Sequence, residues 1–509
     1  MITVKRNWQK KPWTAGISAM IVGVAVHMVG LVTMLHNNDN IGEMPYGYGA
    51  GITSGRWLLT ILGDLCMDMG FSYNLHWVNG ILFLLLIALS AALTVDILKP
   101  RSRLVAGLWG ALFAVFPSVT GTMMFRYTVV YYGISIVLAI GTVWFTERYR
   151  YGFIPGSICL ALSMGIYQAY VPFTISLFVL LLLQKTLSRE ADFGTLVKRG
   201  IGYCLILAAG LLLYVICLNL CLTLYGTQLS DYNGVNNMGK ISLAQLPYLL
   251  KETVYYFIMM PRVNYCSLAG MKLISYCYIF LGMLTALLLL VVLLRRVKKP
   301  LLIALAAVLC CLLPIALNFI QIMCPDGLIY TLMVYPFVLI GCIPGIVLDA
   351  ADDNLRYSKL AEKVLVGVLS VLITCYAYES NVVYTAQYYG NRQMENYVNT
   401  IIAQVRMTEG FDAEKEWAFI GQLEDPLLRS VWENETRYGG SESVKGLINR
   451  PTRWHWFQMY CGYWLPIAND ATIEQLCQTE EVQQMPCWPA NGSIKTVGDA
   501  VVIKFQNME

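Results

Sequence analysis

Residues 36–57 read HNNDNIGEMPYGYGAGITSGRW, and the reading of the whole chain turns on what this stretch is. It follows the first long apolar segment and precedes a chain that is mostly apolar. Its glycines rule out a spanning helix. It carries two carboxylates, Asp39 and Glu43, and one arginine, Arg56. A polar, acidic loop just outside a bilayer and joined to many spans points to chemistry at the membrane surface. The plainer reading is a solvated connector, so the rest of the chain has to decide between them.

Working outward, composition gives the class. The 509 residues are 57% hydrophobic and only 13% charged, about half the charged fraction of a soluble protein (~25%). Mean hydropathy is +0.56. This is the profile of a polytopic membrane protein. The first apolar run is too long for a cleaved signal peptide and lacks a small-residue cleavage site, so it is expected to stay as a span. The 15 cysteines sit mostly in apolar runs, where cysteine behaves as a small hydrophobe. No CxxC spacing and no HxxH or HExxH pairing among His27, His36, His76 and His455 argues for a metal site. The net charge of +4 is small, and no nucleic-acid partner is expected.

Apolar segments of bilayer length, about 20 residues, place spans at 14–35, 77–95, 104–118, 129–145, 200–222, 273–294, 301–322, 328–348 and 361–379. Two shorter ones fall at 153–164 and 170–184, around the turn GIYQAY, which makes eleven. Residues 57–70, WLLTILGDLCMDMG, are apolar on one face with Asp64 and Asp68 one turn apart on the other, which predicts a helix lying in the interface. The stretch PSVTGTMMFRYT, 117–128, reads as a polar connector, and 223–272 as a long polar segment. Alternate loops then sort by charge. One side holds most of the Lys and Arg; the other holds chiefly Arg56, Arg126, Lys240, Lys251, Arg262 and Lys272. By the positive-inside rule the N-terminus is cytoplasmic and the 37–56 loop extracytoplasmic, and an odd number of spans puts the C-terminus outside as well. The expected fold is an all-α polytopic bundle over 1–379 with an extracytoplasmic α/β domain over 380–509.

That tail opens with a helical pattern, 381–407, in which Tyr384, Tyr388, Met394, Tyr397, Ile401 and Val405 recur at helical spacing. EWAFIG (416–421) and VVIKF (501–505) read as strands. Cys461, Cys477 and Cys487 face an oxidising side, where a Cys477–Cys487 bridge is one option. The run PTRWHWFQMYCGYW, 451–464, is dense in aromatics. It reads first as domain core or membrane seat, with sugar stacking as the other reading.

Arginine on the side where cations are rare works against orientation, so Arg56, Arg126 and Arg262 are candidates for holding a phosphate, whose oxygens fit the guanidinium fork. The competing reading is a headgroup contact or an ion pair with Asp39, Glu43 or Asp64. Tyr167 and Gln168 stand where two short spans turn back, a place where polar groups line cavities or close a helix end. They are candidates for substrate binding together with Lys240. His27 lies within the first span and is expected to make a helix–helix hydrogen bond.

Asp39 after the first span, Ser54-Gly-Arg-Trp57 opening an interfacial helix, Gly165-Ile-Tyr-Gln-Ala-Tyr170 between spans, and the closing Met485-Pro…Gly492-Ser-Ile…Val501-Val-Ile-Lys-Phe505 together resemble the Gtr-type bacterial membrane glucosyltransferases. That family is placed with the GT-C glycosyltransferases. The resemblance implies an enzyme that takes a sugar, glucose first among candidates, from a polyprenyl-phosphate carrier and passes it to a cell-surface glycan or related acceptor outside the cytoplasm. Many relatives carry paired acidic residues in the first loop; here the pair is Asn38-Asp39, which leaves Glu43 as the second carboxylate. The physics fits. A lipid phosphate is already an activated leaving group, so no nucleotide-binding loop is needed, and none is visible. A carboxylate takes the proton of the attacking hydroxyl, and cations hold the departing phosphate. No cofactor is called for. A divalent cation stays open for this broad class, with Asp39 and Glu43 alone too few ligands to assert one. The rival reading is a transporter or lipid-carrier flippase, which would need gating polar residues inside the spans.

Overall fold

The computed structural model describes residues 10–71, 73–230, 244–259, 271–325, 329–351, 356–425, 438, 444–450 and 453–507. They fall into two compact units. The first comprises Met1–Val32, Gly47–Asn381 and Arg437–Gly439; the second comprises Thr33–Tyr46, Val382–Thr436 and Gly440–Glu509. The chain thus divides inside the quoted stretch: Asp39 and Glu43 go with the second unit, Arg56 with the first.

The first unit is helical. Among the described residues ten helices are long and apolar enough to cross a membrane: Lys10–Val32, His76–Leu98, Arg103–Met123, Val129–Arg148, Gln168–Ser188, Phe193–Leu224, Lys272–Val297, Pro300–Leu317, Thr331–Asp349 and Ser358–Arg406. The protein is therefore a polytopic helical membrane bundle. Each of the eleven expected segments has its helix, but the one at 153–164 is the 14-residue Phe153–Ile166, short of the ~20 residues a span needs. Among the described residues ten of the eleven expected segments are helices of spanning length, and the eleventh is this shorter apolar helix. That helix stops because Tyr167 swings to an extended backbone (φ −156°), and after the one-turn helix Gln168–Tyr170 the next begins with Pro172 in its first turn.

The segment 117–128 corrects the sequence reading. It continues as the helix Pro117–Met123, with all seven residues buried. Its polar side chains do not need water, because each hydroxyl finds a protein acceptor or partner. Ser118 Oγ donates to Thr331 O at 2.6 Å, Thr122 Oγ1 to Ser118 O at 2.7 Å, and Thr120 Oγ1 pairs with Ser380 Oγ at 2.7 Å. The helix Trp57–Asp68 forms as expected and buries Trp57, Leu59, Thr60 and Gly63. The polar segment 223–272 also holds a helix, Leu246–Met259.

The core is built on aromatics and small residues. Phe113, Phe116, Phe173, Tyr335 and Tyr376 pack edge-on or tilted, with ring centroids 5.6–6.1 Å apart. Tyr335 satisfies its hydroxyl on Phe113 O at 2.9 Å. Gly110 lets two backbones touch, since a Cβ there would collide with Ala15 O. His27 makes the interhelix bond expected of it, Nε2 to Ala114 O at 2.8 Å.

A break was expected near residue 380. Instead one helix, Arg356–Arg406, runs for 51 residues without interruption. The apolar span and the amphipathic stretch share one backbone, and no glycine or proline between 368 and 389 gives it a reason to stop. Its residues to 381 belong to the first unit and those from 382 to the second.

The second unit holds a three-stranded sheet in the order β1 (Glu416–Ile420), β3 (Ala500–Lys504), β2 (Ile494–Val497). β1 runs parallel to β3, with Glu416 opposite Ala500; β2 runs antiparallel, with Ile494 opposite Ile503. The helix face Met394, Val398, Ile401 and Val405 packs with Trp417, Phe419, Trp456, Phe457 and Phe505, and Ile41 joins this core. Within the aromatic run, Trp456 and Phe457 are core, while Trp464 is 72% exposed. Cys461, Cys477 and Cys487 are free thiols. Lys504 is buried at the end of β3. Its ammonium caps the short helix Glu480–Gln484, donating to Val482 O, Gln483 O and Met485 O at 2.9, 2.9 and 2.8 Å. This explains why Met485 and Lys504 stand in one motif: each satisfies the other.

Candidate active site

In the first unit the turn Gly51–Trp57 is fixed from below by Gln168. Its Nε2 donates to Ser54 O at 3.1 Å and to Tyr214 Oη at 3.0 Å, and Tyr214 Oη donates to Gly55 O at 3.0 Å. Gly55 is required here. Its φ is +73°, and a Cβ would stand 2.7 Å from both Gln168 Nε2 and Tyr214 Oη. Trp57 lies against Gly165, where a Cβ would come within 2.6 Å of the indole. The two motifs of the sequence, SGRW and GIYQAY, are therefore one packing unit.

This unit presents Arg56. Tyr132 and Tyr167 stack face to face, centroids 4.3 Å apart. The guanidinium carbon of Arg56 sits 4.8 Å from the Tyr167 centroid and 6.0 Å from that of Tyr132. Its Nη1 donates to Tyr132 Oη at 3.1 Å and reaches Ala50 O at 3.4 Å, while its Nε is buried without a partner. Among the described residues no carboxylate pairs with Arg56. Asp64, one of the partners the sequence allowed, is taken by the hydroxyls of Tyr48 (2.9 Å) and Tyr225 (3.1 Å). A guanidinium held on aromatic faces and lacking a counter-ion is a ready receptor for an oxyanion.

Arg126 is placed differently. It is 2% exposed, its Nη2 donates to Gly30 O at 2.5 Å and its Nη1 meets Met123 Sδ at 2.9 Å. Its own carbonyl accepts from Asn79 Nδ2 at 3.0 Å. Gly80 makes room for it, since a Cβ there would lie 2.8 Å from Nη1. These bonds tie the end of the first span to the helix His76–Leu98. Arg262 and Lys240 lie outside the described residues.

In the second unit Asp39 stands in the helix Asn38–Gly42, capped by the Asn37 side chain on Asn40 N at 2.8 Å. Gly42 and Pro45 disfavour a helix here. The asparagine cap overrides them for one turn, and Glu43 N bonds Asp39 O at 3.1 Å, so the two carboxylates follow one another by a helical turn. The segment is clamped by amides. His36 N donates to Asn391 Oδ1 at 2.8 Å, His36 O accepts from Asn391 Nδ2 at 2.8 Å and from Gln387, and Asn38 Nδ2 donates to Gly446 O at 3.3 Å. His36 packs edge-on to Tyr460, centroids 5.5 Å apart. The Asp39 carboxyl is reached by solvent, yet the density of buried neighbours around it raises its pKa above the ordinary value, with the charge of Arg450 pulling the other way. Arg450, Tyr132 and Tyr214 had no signal in the sequence; Gln387 and Asn391 were visible only as polar breaks in an aromatic helix face. Among the described residues no three His, Cys, Asp or Glu side chains gather to hold a metal.

Fold and site together define a polytopic membrane protein that presents, on an aromatic bed, an arginine with no carboxylate partner among the described residues. The chain belongs to the family described as Glucosyl transferase GtrII, whose model matches residues 28–341. Membership makes it a membrane glucosyltransferase. The match takes in Asp39, the SGRW turn and GIYQAY, and ends before the motif at 485–505. No curated protein and no solved structure matches the chain.

Proposed function

We propose that the protein moves glucose from a polyprenyl-phosphate carrier to a hydroxyl of a cell-surface glycan or related acceptor on the extracytoplasmic side of the membrane. In this reaction the acceptor oxygen bonds to the anomeric carbon, the bond from that carbon to the phosphate oxygen breaks, and polyprenyl phosphate departs with one more negative charge. The acceptor proton goes to a carboxylate. The observation that carries the reading is Arg56: a guanidinium on the Tyr132–Tyr167 stack with no carboxylate partner among the described residues. It takes the phosphate, whose charge grows as the bond breaks, so its contacts strengthen in the transition state.

Asp39 is assigned as the base. A pKa raised by its buried surroundings makes the carboxylate a stronger proton acceptor than an ordinary aspartate. Glu43 is the secondary carboxylate. Gln168 positions the arginine turn rather than meeting substrate, and Arg126 is left to hold helices. For the acceptor, the second unit offers a groove of about 880 Å³, lined by polar groups that include Gln404, Thr408, Asn491, Ser493 and Lys495, the donor and acceptor mixture a glycan needs. The basic loops support a cytoplasmic N-terminus.

The test is purified protein offered a panel of polyprenyl-phosphate sugars, with released polyprenyl phosphate measured. The reading expects release that depends on acceptor and favours glucose. A preparation that uses only nucleotide sugars, or none of the panel, would overturn it.

A further inference from the structure

The bundle has a second charged site that the reaction does not use. A cavity of about 760 Å³ opens among the helices His76–Leu98, Val129–Arg148, Val171–Ser188 and Phe193–Leu224. Six cations line it, Lys99, Arg101, Arg148, Lys185, Arg199 and Arg296, against four carboxylates. Two of those carboxylates account for three of the cations. Asp96 takes Arg148 at 3.2 Å and the Trp144 indole N–H at 2.8 Å. Glu147 takes Lys185 at 2.9 Å, Arg199 at 3.8 Å and the Tyr203 hydroxyl at 2.6 Å. Arg296 donates to Ala350 O at 2.6 Å. The Lys99 ammonium has no partner among the described residues.

Lys99 is also conspicuous in its backbone. It ends the helix His76–Leu98 in the left-handed conformation, φ +49°, the position where glycine is the usual choice because other residues carry a steric cost. The non-glycine residues with positive φ among the described ones are Lys99, Arg189 and Lys298. All three are cations at helix C-termini. A cation kept where glycine would fit the backbone better is kept for its charge. The helix C-terminal dipole accounts for part of that at all three positions. Of the three, Lys99 also lines this cavity with its surplus of cations.

We propose that this cavity binds a phosphate oxyanion, with Lys99 as its free cation and the paired arginines and lysines as its rim. The chemistry is shared by the headgroup of an anionic phospholipid and by a soluble phosphate. The cavity lies where the basic ends of the spans emerge, so a headgroup at the bilayer edge could enter it.

Two matched variants test this. Lys99→Gly removes the cation and relieves the left-handed backbone. Lys298→Gly makes the same two changes outside the cavity. The full-length protein goes into nanodiscs of phosphatidylcholine alone or with one tenth phosphatidylglycerol, and the phosphatidylcholine discs are also titrated with inorganic phosphate. Thermal midpoint and retained lipid after delipidation are read. In the wild type, phosphatidylglycerol or inorganic phosphate raises the midpoint, and whichever does so names the source. Lys99→Gly weakens that ligand about fivefold, the effect of one lysine at an anionic surface, while Lys298→Gly keeps it. With no ligand, Lys99→Gly is as stable as the wild type or more so. A wild type indifferent to both ligands would overturn the proposal, as would Lys99→Gly and Lys298→Gly responding alike. Since the readouts are binding and stability, the result does not depend on the glycosyltransfer reading.

Discussion

Arg56→Lys separates charge from geometry at the proposed phosphate site. Lysine keeps the positive charge but loses the planar fork. In the structure Arg56 commits one terminal nitrogen to Tyr132 Oη at 3.1 Å and rests 4.8 Å from the Tyr167 centroid, which leaves its remaining donors for a ligand. An ammonium on the same bed would forfeit one charge-assisted bond to the phosphate, about 1.5–3 kcal/mol. At about 1.4 kcal/mol per decade, that is roughly a 10–150-fold loss in kcat/KM for the lipid donor. Because the phosphate gains charge as it leaves, kcat is expected to fall with it. The assay is steady-state release of polyprenyl phosphate by purified variants, normalised to folded protein from a thermal melt. A folded Arg56→Lys enzyme within twofold of wild type in kcat/KM would refute the reasoning. So would a matching loss at Arg126→Lys together with an intact Arg56→Lys, which would move the phosphate to the other arginine.

Other outcomes follow from the same geometry. Asp39→Asn is expected to cut turnover about 10²–10⁴-fold, and Glu43→Gln to cost less, both measured per folded molecule. The Asp39 carboxyl has a folded-state pKa above its unfolded value, so the folded state binds the extra proton and Asp39 lowers stability as pH rises through that window; Asp39→Asn should therefore melt no lower than wild type at pH 7. The acid limb of turnover should lie above the ordinary aspartate value, and Arg450→Gln, removing the charge that lowers this pKa, should move the limb to higher pH. Lys504→Met strips three carbonyls of their donor and should destabilise the second unit by about 2 kcal/mol or more in a denaturant titration.

Much of this was legible in the sequence because membrane segments announce themselves by length and hydropathy. Helices appear at each expected place, from Lys10–Val32 to the span that begins at Ser358. The strands at 416–420 and 500–504 were legible by β-branched and aromatic runs. Polarity misled at 117–123, where the hydroxyls of Ser118 and Thr122 close on backbone carbonyls and that of Thr120 on Ser380, and the helix is buried all the same. It misled again near 380, where a change from apolar to amphipathic composition marks a change of unit but not of backbone. Of the site, Arg56, Tyr167 and Gln168 were each singled out in the sequence, but nothing in it showed that they meet at one turn. Tyr132, Tyr214 and Arg450 could not have been found from one sequence. They sit about 50–410 residues from the groups they serve, and tyrosine and arginine carry no local signal of such partners.

Glucosyl transfer from a lipid phosphate is proposed for one defined side of the membrane. Sealed proteoliposomes of known orientation, loaded with labelled glucosyl polyprenyl phosphate, allow a membrane-impermeant acceptor to be supplied on either side. Label is expected on the acceptor only when it is on the side opposite the basic loops, with Arg56→Lys and Asp39→Asn both impaired there. Label on acceptor presented at the basic-loop side, or transfer that both variants leave intact, would contradict it.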